Sequence, residues 1–194
     1  MSEHFRARDA LLIVDVQRDF LPGGALAVPA GDEVVPVLNR YIALATRAGV
    51  PIYASRDWHP HGHVSFHARG GPWPIHCVAD SAGAAFASNL ELPSDAIVVS
   101  KATAADQDAY SAFAGTDLAT ALRAQGVTRL WIGGLATDYC VLNTVLDARR
   151  EHFSVLFLED ASRAVEVQPG DGAKAVARMR EAGAIPLSLA AVAR

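Results

Sequence analysis

Two hydrophobic rhythms alternate along the chain. Residues 10–16, "ALLIVDV", form a short apolar run interrupted only by Asp15, as expected of a strand buried on both faces. Between residues 32 and 48 the apolar positions Val34, Val35, Leu38, Ile42 and Ala45 recur at helical spacing. Pro36 falls in the first turn, where it is tolerated, and Gly49 stands where the helix should end. A second short strand, "PIYAS" at residues 51–55, follows at once. The strand signature returns at residues 96–100, 129–135, 153–159 and 184–190. Helical segments are predicted at 115–125, 138–151 and 171–182, the last led by Asp171 and followed by Gly183. Parallel neighbours need crossover connections. The alternation therefore predicts an α/β fold, a doubly wound (Rossmann-like) parallel sheet of about six strands with helices on both faces.

Residues 57–95 break this alternation. An irregular stretch of that length is uncommon inside a compact domain unless it is functional. It is entered through "SRDWHPHGHVSFH", residues 55–67, which holds four of the seven histidines. Three readings are open for that cluster: a metal site, a general base among bystanders, or a solvated polar loop.

Composition narrows the classes of function. A chain of 194 residues suits one hydrophobic core, and no repeat or linker divides it, so a single domain over residues 1–194 is expected. The net charge is −4 and the basic residues are scattered, which argues against nucleic acid or anionic membranes as partners. The apolar run near the N-terminus is too short for a signal peptide or a membrane span. A cytoplasmic setting follows as the expectation, with Cys77 and Cys140 reduced.

In open parallel sheets, ligands bind beyond the carboxyl ends of the strands. Asp15 lies at the end of the first predicted strand, Asp57 and His59 just past the second, Lys101 directly after the third, and Cys140 a short turn beyond the fourth. Each has a bland reading: Asp15 as a turn cap, Lys101 as a solvated strand end, Cys140 as a small core residue. Jointly, an acid, a lysine and a thiol on one rim form a set suited to nucleophilic catalysis. Thr137 or Asp138 is placed to cap a helix whose first turn holds Cys140, and a helix N-terminus favours a thiolate and offers amides to an oxyanion. Cys77 has no such setting and reads as structural.

Five motifs, "LLIVDVQRDFLPGGAL", "RDWHPHGHVSF", "GPWPIHCV", "IVVSKAT" and "GGLATDYCV", occur in that order. Together they resemble the nicotinamidase/pyrazinamidase branch of the isochorismatase-like cysteine hydrolases. The resemblance spans residues 11–160 or so and implies the doubly wound fold and deamidation of a small-molecule amide, nicotinamide, to nicotinate and ammonia. It implies Asp15, Lys101 and Cys140 as a catalytic triad, a cis peptide at Leu135–Ala136, and an oxyanion hole from the amides of Ala136 and Cys140. Asp57, His59 and His76 would bind one divalent metal ion, for which Zn²⁺, Fe²⁺ or Mn²⁺ suits an Asp plus two His set. His63 is a ligand or near-ligand in some relatives, whereas His61 is expected to face solvent and His67 has no assigned role. Phe20, Leu26, Trp73 and Tyr110 would form the wall around the pyridine ring. Relatives are commonly oligomeric, so a homo-oligomer is compatible. Ala102 departs from the family, which often has glycine after the lysine. The rival reading is another hydrolase of the same superfamily, acting on a related amide or N-carbamoyl compound.

Overall fold

A computed structural model describes residues 3–192. Six strands, β1 (Asp9–Val14), β2 (Ile52–Asp57), β3 (Ile97–Lys101), β4 (Arg129–Leu135), β5 (Ser154–Arg163) and β6 (Ile185–Leu187), form one sheet in the order β3-β2-β1-β4-β5-β6. Every pairing is parallel. The helices are α1 (Val34–Ala48), α2 (Leu118–Ala124), α3 (Leu142–Arg150) and α4 (Asp171–Glu181). This is the doubly wound α/β architecture that the alternating pattern predicts.

Two cores flank the sheet. Along β1, Leu11 and Ile13 enter the core beneath α1, whereas Ala10, Leu12 and Val14 enter the one beneath α2, α3 and α4. Successive strand side chains point to opposite faces, so an unbroken apolar run is what a strand covered on both sides requires. The α1 face has only one long helix. Ala84, Ala87 and Leu90, from the irregular stretch between β2 and β3, complete its core. That stretch therefore covers the sheet as well as carrying polar residues.

Several boundaries differ from the sequence reading, each for a local reason. Asp15 leaves β1 with φ 50°, a left-handed conformation rare for a residue with a Cβ. Asp57 and Lys101 are the last residues of β2 and β3 rather than their successors, and they pair directly across the ladder. The β5 strand continues four residues past the apolar run; its polar end rejoins β4 at Gly134 and Leu135 after a register shift. At the other edge β6 keeps only three residues. Pro186 lacks an amide donor, and the Asp160 carboxylate accepts the Leu189 N–H at 2.8 Å, turning the chain. Gly49 ends α1 in the left-handed conformation, as its position predicts. Among the described residues no helix is long and apolar enough to cross a membrane.

Candidate active site

Strand order reverses between β1 and β4, and the polar strand ends converge at that crevice. Lys101 is at its centre. Its Nζ lies 2.9 Å from Asp15 Oδ2 and 2.5 Å from Asp57 Oδ1, donates to the Ala109 carbonyl at 3.1 Å, and stands 3.6 Å from Cys140 Sγ. Asp15 is fully buried and Lys101 nearly so. The Ser55 hydroxyl donates to Asp15 Oδ1 at 2.6 Å. The thiol of Cys140 and carboxylate oxygens of Asp15 and Asp57 lie within 4.8 Å of one another.

Burial and charge compete here. Burial opposes the ammonium of Lys101, but Asp15 and Asp57 outweigh it and hold the lysine well above its usual value. Burial pushes Asp15 up, against the pull of Lys101. It pushes Asp57 the same way, yet Lys101 and His59 together hold that carboxyl below the usual range. Cys140 is raised well above an ordinary thiol, because burial outweighs Lys101. Burial thus works against the thiolate that a helix N-terminus and Lys101 would favour. A base beside the thiol is needed, and a carboxylate with a raised pKa is a stronger one.

The turn carrying Cys140 also differs from the capped helix expected. Leu135–Ala136 is cis, as the resemblance implies, and Thr137–Val141 form a π-helical turn before α3. Neither Thr137 nor Asp138 caps it. The Asp138 carboxylate instead accepts the amides of Val165 and Glu166, each at 2.9 Å, and so joins this turn to the segment after β5.

Asp57, His59 and His76 are buried and present donor atoms within 4.8 Å of one another. Nδ1 of His59 faces the Ala102 carbonyl at 3.3 Å, and Nδ1 of His76 faces the Pro74 carbonyl at 2.8 Å. A proton on each Nδ1 leaves both Nε2 lone pairs free, with the two nitrogens 3.6 and 4.0 Å from Asp57 Oδ2. Nε2 of His59 is buried and has no hydrogen-bond partner among the described residues. An orphaned imidazole nitrogen beside a carboxylate and a second imidazole fits a divalent cation. His63 is not placed as a ligand: its Nδ1 lies 2.7 Å from Ser65 Oγ and its Nε2 3.1 Å from the Gln107 carbonyl. Its ring stacks on His59 at 4.1 Å and supports it. Both His61 and His67 are exposed.

Above these groups opens a pocket with about 480 Å³ of empty space, part of it open to solvent. Phe20, Leu26, Trp73 and Tyr110 all line it, together with Asp57, His59, His76, Ala136 and Cys140. The Trp73 indole donates to the Tyr110 hydroxyl at 3.0 Å. Tyr139, which the sequence reading did not single out, packs edge-on against Trp73 at 5.0 Å. Gln17 was likewise not singled out, although it lies inside the motif "LLIVDVQRDFLPGGAL". Its amide donates to the carbonyls of Asp57 and Ala84 and accepts the Asp57 N–H, each at 2.8 to 2.9 Å. Ser55 carried a signal: it lies two residues before Asp57 on one strand and so shares its face.

Fold and site together define a hydrolase whose pocket sits at the switch point of a doubly wound parallel sheet. The Isochorismatase domain family matches residues 9–191, and the chain belongs to that family. It is similar to the nicotinamidase of Escherichia coli (strain K12), 41% identical over 93% of this chain and 95% of that protein. A crystal structure of the pyrazinamidase of Pyrococcus horikoshii in complex with zinc superposes with a TM-score of 0.90 at 48% identity, covering 94% of this chain and 99% of that one. PnC1 from L. infantum in complex with nicotinate also gives a TM-score of 0.90, at 35% identity over 100% and 99% of the two chains.

Proposed function

We propose that the protein is a metal-dependent cysteine amidohydrolase that converts nicotinamide, and pyrazinamide with it, to the carboxylic acid and ammonia. The observation that carries this reading is the position of Lys101, whose ammonium touches Asp15, Asp57 and the thiol of Cys140. Asp15 takes the proton from Cys140 as the sulfur attacks the amide carbon. Lys101 offsets the negative charge that develops on the sulfur. The carbonyl oxygen, now an oxyanion, is received by the backbone amides of Ala136 and Cys140, both of which border the pocket. As the carbon–nitrogen bond breaks, Asp15 returns its proton to the departing nitrogen, and ammonia leaves a thioester on Cys140. Water then attacks the thioester carbon while Asp15 accepts its proton. The acid is released and the thiol reforms.

Asp57, His59 and His76 would hold the metal, with Zn²⁺ favoured by the two imidazoles and Fe²⁺ or Mn²⁺ compatible. When bound, such an ion can coordinate the pyridine nitrogen and polarise water. Phe20, Leu26, Trp73 and Tyr110 hold the ring, and the pocket offers it apolar and aromatic surface with no cationic side chain among its lining residues. A flat, uncharged heteroaromatic amide suits that lining. The protein is proposed to act in the cytoplasm, as one domain, with a homo-oligomer compatible.

The test is ammonia release from nicotinamide, pyrazinamide and a set of N-carbamoyl amides, with wild type and Cys140→Ala side by side. Wild type is expected to turn over the two heteroaromatic amides, and Cys140→Ala to lose turnover while keeping its fold by circular dichroism. Turnover surviving in Cys140→Ala would overturn the mechanism, and turnover of N-carbamoyl amides alone would overturn the substrate.

A further inference from the structure

Asp19 does not line the pocket, and the mechanism above gives it no part. Its carboxylate nevertheless sits where two functional loops meet. Oδ2 accepts the backbone N–H of Cys77 at 2.7 Å, and Oδ1 accepts that of Ala25 at 3.3 Å. Through its own backbone Asp19 donates to the Gly83 carbonyl at 3.0 Å and accepts the Leu26 N–H at 2.9 Å. Among the described residues it makes no ion pair. Its charge is received by main-chain donors, an arrangement that fixes those donors in place.

The position of Cys77 makes the bond to it consequential. Cys77 follows His76 directly, and its carbonyl accepts the His59 N–H at 3.0 Å. The Ala79 N–H closes a second bond to the His59 carbonyl at 2.8 Å. One peptide segment thus sets the spacing of both histidines, and it does so from a left-handed backbone at Cys77, φ 44°. A residue with a Cβ is held there only when its surroundings determine it. Phe20, next in sequence to Asp19, brings its ring 5.7 Å from that of His76, and Leu26 also lines the pocket.

Space for the carboxylate is built in. A Cβ at Gly83 would overlap the Asp19 carboxyl group, and the backbone at Gly83 is not left-handed, so an alanine there would act by forcing that carboxyl group to move.

We propose that Asp19 is a positioning residue: its carboxylate clamps the Cys77 amide, and through it sets His59 and His76 at metal-binding separation. This rests on the metal reading of Asp57, His59 and His76. The function it adds is preorganisation, because a ligand set already spaced for the ion loses less freedom when the ion binds.

The experiment measures Co²⁺ and Zn²⁺ affinity of the full chain, stripped of metal and titrated against a competing chelator, for wild type, Asp19→Asn, Asp19→Ala and Gly83→Ala. The Co²⁺ absorption spectrum reports the ligand set directly. Asp19→Ala is expected to bind about ten- to a hundredfold more weakly. Asp19→Asn, which keeps one acceptor for Cys77, should fall between it and wild type. Gly83→Ala removes no polar group and should weaken binding by displacing the carboxylate. A merely structural Asp19 would lower the melting temperature of the metal-free chain and leave metal affinity alone. Unchanged affinity in folded Asp19→Ala overturns the proposal; if that variant does not fold, unchanged affinity in Gly83→Ala does so. A wild type that binds neither ion overturns the metal reading itself, an outcome distinct from wild type and variants binding alike.

Discussion

Lys101 and His76 serve the same pocket but are held by different means. Lys101 ends β3 and is paired in register with Asp57 at the end of β2, which in turn lies beside β1 and Asp15. Parallel ladders with continuous hydrogen bonding place these groups, and the cores beneath α1 and α2 fix the ladders. His76 lies in the stretch between β2 and β3, where the one described helix is the three-residue turn His67–Arg69. Isolated bridges, His59 to Val78 and Phe66 to Trp73, and side chains such as Asp19 and Gln17 do there what a sheet does for Lys101. On the proposed reading, the strand ends supply the bond-breaking groups, and the loop supplies a metal- and ring-binding surface held by tethers.

The sharpest way to break that contrast is to remove the charge at the centre of the rim. Lys101→Met leaves Asp15 and Asp57 buried without their shared cation. Loss of one partner from a buried ionic group costs about 3–5 kcal/mol, so a large fall in the urea midpoint is expected together with loss of ammonia release. A variant as stable as wild type would show that the rim is not organised around Lys101. On the loop side the largest expected effect is reversible. Stripping the metal with a strong chelator should abolish turnover while circular dichroism still reports the intact sheet, and adding Zn²⁺ or Mn²⁺ should restore it. Collapse of the sheet on chelation would mean that the loop and rim are one structural unit.

A subtler measurement concerns Asp15. It must be unprotonated to take the thiol proton, so the rate falls as pH falls through its pKa. Burial raises that pKa above the ordinary 3.8, and the Ser55 hydrogen bond lowers it by stabilising the charged form. Ser55→Ala should therefore move the acid limb of the kcat/KM profile to higher pH. An acid limb unmoved, or moved to lower pH, would remove Asp15 from the role of base.

The same contrast explains what could be read from the sequence. Strand ends were legible because a buried parallel strand is an apolar run, and a polar residue at its carboxyl end stands out: Asp15, Asp57, Lys101 and Cys140 were all found in this way. The loop has no periodicity, so its contribution came through motifs, and those name ligands better than tethers. Gln17 and Asp19 both lie inside "DVQRDF" but act through main-chain amides some 40 and 58 positions away, a pairing no spacing rule encodes. Asp138 looked like a cap because it precedes a helix, yet two free amides after β5 competed for its carboxylate. The polar end of β5 escaped because its pairing with β4 comes from a register shift rather than from hydrophobic pattern.

The smallest effect lies where rim and loop meet. Ala102 follows Lys101, and its carbonyl faces Nδ1 of His59, so one residue connects the last rung of the sheet to a proposed metal ligand. Its φ is 52°, in the left-handed region where a Cβ crowds the following carbonyl at a cost of about 1 kcal/mol. Glycine at this position would adopt that conformation freely. It also raises the entropy of the unfolded chain, and the buried methyl of Ala102 is lost with the substitution. The terms oppose, and relief of the left-handed strain is expected to win narrowly. Ala102→Gly should raise the urea midpoint by the equivalent of less than about 1 kcal/mol and leave kcat unchanged, since the carbonyl facing His59 is retained. A clear loss of stability would mean that the methyl packs well enough to outweigh the strain. A fall in metal affinity at unchanged stability would mean that the junction needs the stiffness of alanine to hold His59, and that the rim extends one residue further into the loop than the ladder does.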